Sequence, residues 1–135
     1  MALTPQEALI YVMVVSAAAD RTLSDGEIER IDALAARLPV FAGFDRMQLP
    51  AIAKDALDLT QRANDLDDVL DFIFADFPER LFDTAYALAV EVVAVDLEVR
   101  QEELRWLEML SDHLELDKLV IAAIERAARA RLKRP

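Results

Sequence analysis

The chain has 135 residues, 26 of them acidic and 15 basic, for a net charge of −11, with no cysteine, two glycines and one histidine. That length supports one domain burying roughly two-thirds of its unfolded surface, and the missing cysteines exclude disulfides, thiolate zinc and cysteine catalysis. The negative charge argues against nucleic acid, two glycines leave no phosphate-cradling loop, and a single histidine excludes histidine-rich metal centres.

The pattern is helical throughout, without alternating β-branched runs or Asn-Gly and Asp-Gly hairpin turns. Thr4-Pro5-Gln6-Glu7 opens a first helix over 5–19: threonine N-cap, proline at the first helical position, glutamate three residues past the cap. This helix is apolar almost all round, which predicts a buried central position. Its Leu9–Val15 run followed by Ser16-Ala17-Ala18-Ala19 mimics a signal peptide. No basic residue precedes Arg21, however, and the run falls far short of the ~20 residues that span a bilayer. A cytoplasmic location is the expectation.

Ser24 and Glu27 form a capping box for a second helix over 24–38, ended by Pro39, with Ile28, Ile31, Leu34, Ala35 and Leu38 on one apolar face. After the Phe41–Phe44 turn, a third helix covers 47–62, with Pro50 admissible only in its first turn. Asn64 is the expected cap of a short fourth helix to Asp76. Pro78 starts a fifth to about Val95, nearly all apolar apart from Glu91. A sixth covers 100–114, and Asp117 caps a seventh that runs into the basic tail at 125–135. The short connections of a helical bundle make 1–135 a single all-α domain of about seven helices.

The charge is divided between a body of −15 over residues 1–124 and a tail of +4 over 125–135. Two segments also echo each other at an offset of 76 residues: Val14–Leu38 and Val90–Leu114. Val14, Asp20, Glu27, Leu34 and Leu38 meet the identical Val90, Asp96, Glu103, Leu110 and Leu114. Each copy runs from a buried helix through an aspartate and a short turn into an amphipathic helix. Two such helix-turn-helix pairs would pack around a pseudo-two-fold axis with the first and fifth helices central.

Both corners place an acid at a helix end and another seven residues on: Asp20 with Glu27, Asp96 with Glu103. Asp25-Gly26-Glu27-Ile28 copies the middle of an EF-hand loop, but with Gly26 at loop position 6 the calcium positions 1 and 3 become Arg21 and Leu23. An EF-hand is therefore rejected. The doubled acidic corner after small apolar helices resembles the TerB-like tellurite-resistance family, whose corners tend to read Ala-Asp-Gly, four or five residues, then Glu. Ala19-Asp20 with Glu27 and Val95-Asp96 with Glu103 carry the likeness, while Arg21 and Leu97 replace the family glycine.

The resemblance implies an all-helical, cytoplasmic, non-enzymatic component of a stress-response system, working through protein partners. It also implies a divalent cation at the paired corners, with Asp20, Glu27, Asp96 and Glu103 as ligands. Oxygen-only donors would suit calcium, magnesium or manganese. Glu27 has a competing role as the capping-box glutamate. Glu103 does not, since Arg100 in the N-cap place has no acceptor atom, and both aspartates could satisfy turn amides. Glu91 either escapes at a wet edge of the fifth helix or joins the cation cluster.

His113 is expected to complement a helix C-terminus, as Arg37 does in the first copy. Residues 55–79 are strongly acidic, either a solvated face or the surface for a basic partner. Phe72, Phe74, Phe77 and Phe82 are expected in the core, with Phe41 and Phe44 as the exposed aromatic pair. The basic C-terminal helix offers a contact for a membrane surface or an acidic partner. The rival functional classes are a metal-dependent hydrolase using the same carboxylates and a peripheral membrane adaptor.

Overall fold

The computed structural model describes residues 3–18, 22–94 and 100–135. Among them are seven α-helices and no strand. The first, α1 (Pro5–Ala17), starts where its caps require. Thr4 Oγ1 accepts from the Glu7 amide at 3.1 Å, and the Glu7 carboxylate accepts from the Thr4 amide at 2.9 Å. All nine residues from Ala8 to Ser16 are buried, so α1 has no solvent face beyond its first turn.

Ser24 and Glu27 form the expected capping box of α2 (Asp25–Arg37), with amide bonds of 3.1 and 2.9 Å. Pro39 confines Leu38 to extended backbone and ends the helix. A 3-10 turn at Pro39–Phe41 leads to Gly43, whose φ of 80° is the left-handed conformation that suits glycine. Gln6 ties this connection to α1 by donating to the Val40 and Ala42 carbonyls.

The expected third helix divides into a 3-10 turn at Arg46–Gln48 and α3 (Leu49–Arg62), with Pro50 in the first α turn. The cap of α4 (Leu66–Ile73) is Asp65 rather than Asn64, its side chain accepting from the Asp68 amide at 2.9 Å. This helix stops three residues before the expected Asp76. Pro78 does not begin the fifth helix directly either. It precedes a 3-10 turn at Glu79–Leu81, and α5 (Phe82–Ala94) follows. The last two are α6 (Gln101–His113) and α7 (Lys118–Arg131), the latter capped by Asp117 through the Leu119 amide at 3.1 Å.

The core is centred on α1, which packs most extensively on α5 and α3 and also meets α2, α4 and α6. In turn α5 carries α6 and α7. One hydrogen-bond chain crosses this apolar centre: the Trp106 indole donates to Ser16 Oγ at 2.9 Å, and Ser16 Oγ donates to the Val12 carbonyl at 2.6 Å. Among the described residues no buried side-chain nitrogen or oxygen lacks a hydrogen-bond partner.

Candidate functional site

Asp20 and Asp96, the first acid of each proposed corner, lie outside the described residues. Their partners do not. Glu27 is half-buried and holds the Ser24 amide. Glu103 is only 7% exposed and accepts from the Arg100 amide at 3.2 Å. The sequence expectation that Glu103 lacks a cap role thus needs correction. The arginine side chain accepts nothing, yet the glutamate half of the motif forms without it. The preceding residues match closely in backbone: φ −76°, ψ 159° at Ser24 and φ −78°, ψ 159° at Arg100. The offset of 76 residues therefore relates two helix starts of the same geometry as well as two strings of residues. Among the described residues, no three His, Asp or Glu side chains are grouped so as to hold a metal ion.

Glu91 has a partner that sequence spacing could not reveal. Its carboxylate, 18% exposed, forms an ion pair with Arg131, 40 residues away on α7. A second tie joins the same helices: the buried Tyr86 hydroxyl donates to Glu125 Oε2 at 2.6 Å. Arg131 of the basic tail is thereby part of the fold, while Arg126, Arg129, Lys133 and Arg134 remain exposed.

Burial raises the Tyr86 phenol well above its ordinary 10.0, and the hydrogen bond to Glu125 and that carboxylate's charge push the same way. Folding thus favours the protonated phenol. Its contribution is complete below pH 10 and declines above it, because the unfolded chain loses its proton first. Stability should accordingly fall as the pH rises past about 10. The Tyr86→Phe variant should cost about 1.5–3 kcal/mol at pH 7 and show a shallower alkaline decline. Urea unfolding at pH 7 and pH 10.5 measures both effects.

Two of the surface concavities adjoin the candidate residues. The first, about 290 Å³, lies where the ends of α1 and α3 meet the first turns of α4 and α6. Val15, Leu66, Val69 and Trp106 supply apolar lining, and Ser16 and Glu103 are its buried polar groups. Sequence reasoning missed this site, although the chain's one tryptophan and the serine inside an apolar helix were signals that could have pointed to it. The second, about 310 Å³, is lined by Tyr11, Asp55, Asp58, Gln61 and Arg62.

Beside the second concavity Phe72 stands 40% exposed, its ring 6.1 Å from that of Tyr11 and tilted by 37°. Phe72 is therefore not the core residue that its spacing suggests. Burial, then the charges of Asp55 and Glu7, raise the Tyr11 phenol above 10.0. Asp65, Asp67, Asp68 and Asp71 of α4 and its cap are all exposed. The aromatic pair expected at the surface is differently placed too. Phe41 is 3% exposed and packs edge-on against Phe44 at 5.8 Å, because the 3-10 turn after Pro39 folds it inward. His113 sits at the end of α6 with its ring 5.7 Å from Phe74.

No protein-family model, curated protein or solved structure matches the chain. None of the described helices is long and apolar enough to cross a membrane.

Proposed function

We propose that the chain is a non-enzymatic, TerB-like helical module, a cytoplasmic stress-response component whose acidic α3–α4 surface docks a basic protein segment. The observation that carries this reading is the exposed Phe72 ring beside the Tyr11–Asp55–Asp58 concavity, on a surface rich in aspartate. A desolvated aromatic supplies binding energy, and surrounding like charges select an oppositely charged partner and speed its encounter. The TerB-like arrangement is supported by the packing, in which α1 meets α2 and α3 as α5 meets α6 and α7, with α1 against α5 between them. The matched backbone at Ser24 and Arg100 supports it as well.

A labelled, lysine-rich amphipathic peptide tests the docking surface by fluorescence anisotropy. Phe72→Ser and the pair Asp55→Lys/Asp58→Lys should each weaken binding by about tenfold or more, and the charge variant should also flatten the salt dependence. Equal affinity for all three proteins would remove the surface from consideration.

The same proposal gives Asp20, Glu27, Asp96 and Glu103 a divalent cation, while Glu91 is held by Arg131 instead. Glu27 and Glu103 each use one oxygen for a cap, which leaves the other as a donor. Calorimetric titration of calcium, manganese and magnesium into chelator-treated protein decides this part alone. No heat at millimolar metal would eliminate the cation and leave the docking surface standing.

A further inference from the structure

We propose that the cavity between α1, α3, α4 and α6 is a binding site for a primary alkylammonium group carried on a short apolar chain. At about 290 Å³ it lies just below the range of small-molecule pockets, roughly 300–1,000 Å³, a size for a small ligand. Val15, Leu66, Val69 and Trp106 give it an apolar wall. Within it lies Glu103, 7% exposed, whose one hydrogen bond among the described residues is from the Arg100 amide to Oε1. The second oxygen is not sealed in protein, since no buried side-chain oxygen among the described residues is unpaired. Glu103 is one of the residues that line the cavity.

A carboxylate so placed needs a cation more than a surface acid does, because little water reaches it. A metal ion would use the carboxylate but leave the apolar wall idle, and an alcohol would use the wall but not the charge. An alkylammonium uses both, as a lysine stem does when it lies along apolar surface. The rim supports the same sign: Asp65 and Glu102 stand there against Arg105. This inference does not rest on the acidic docking surface, and it competes with the divalent cation for the second Glu103 oxygen.

Trp106 lines the cavity and is the chain's one tryptophan, so its emission reports occupancy directly. The experiment titrates n-hexylammonium, n-hexanol and hexanoate into the full chain with EDTA present, which removes divalent metals. The expected result is a saturable emission change with the ammonium, at least about tenfold tighter than with the alcohol, and none with the acid. Glu103→Gln retains an acceptor for the Arg100 amide and should bring the ammonium to the affinity of the alcohol. Ala63→Leu, which fills the cavity from its rim, should abolish the response while circular dichroism shows the helices intact.

A lysine-containing tripeptide, blocked at both ends, distinguishes the source of the ammonium. Tighter binding than hexylammonium assigns the site to a lysine side chain of a partner, and weaker binding assigns it to a free amine. Absence of saturation with every ammonium probe, or equal affinity for ammonium and alcohol, would overturn the proposal. So would ammonium binding that Ala63→Leu leaves unchanged.

Discussion

Replacing Val12 with aspartate is expected to abolish cooperative folding at 25 °C. Val12 has no exposed surface, and it lies in the middle of nine consecutive buried residues. No rotation of α1 would bring a new carboxylate to water, because α2, α3, α4, α5 and α6 all pack against this helix. An unpaired charge in such a site costs several kcal/mol, comparable with the roughly 5–15 kcal/mol by which domains are stable. The variant also removes two methyl groups from the centre of the core. Leu119→Asp is the matched control, at a position 77% exposed, and should change stability by no more than about 0.5 kcal/mol. Far-ultraviolet circular dichroism with urea titration compares the two. A Val12→Asp protein with a cooperative transition near the parent midpoint would contradict the central burial of α1.

Which helix starts were legible and which were not follows from the range of the forces involved. Thr4 with Glu7, Ser24 with Glu27, and Asp117 act within one helical turn, so their spacing alone locates three helix starts. At Asn64-Asp65 two adjacent side chains can both cap, and only the path of the chain selects Asp65. Pro50 and Pro78 mark helix entries, but whether the chain enters by an α or a 3-10 turn depends on packing that the proline does not encode.

The site residues divide in the same way. The pairing of Glu27 with Glu103 was visible as a repeat, and its geometry recurs at both helix starts. The partners of Glu91 and Ser16 are 40 and 90 residues distant, beyond any local pattern. Exposure of Phe72 and burial of Phe41 were read in the wrong sense because aromatic spacing gives a helix face, not what covers it. Asp20 and Asp96 fall outside the described residues.

Trp106→Ala should produce the second large effect, a loss of about 3–5 kcal/mol. The indole is 4% exposed and spans from α6 to α1, so truncation leaves a void at the helix junction beside the 290 Å³ cavity. Trp106→Phe keeps much of the ring volume and removes the donor to Ser16 Oγ, which separates packing from hydrogen bonding. Ser16→Ala has a different cost, because it leaves the buried indole N–H without its acceptor, worth about 1–3 kcal/mol. Ser16 Oγ also donates to the Val12 carbonyl, so its removal spares the helix a competing interaction and lowers that cost. The double variant Ser16→Ala/Trp106→Phe closes a cycle in which the coupling should be about 1 kcal/mol. Urea unfolding followed by circular dichroism supplies all four stabilities, since tryptophan emission is lost in two of the variants. A coupling near zero would mean that α6 is held to α1 by shape alone and that the buried hydrogen bond contributes nothing to the junction.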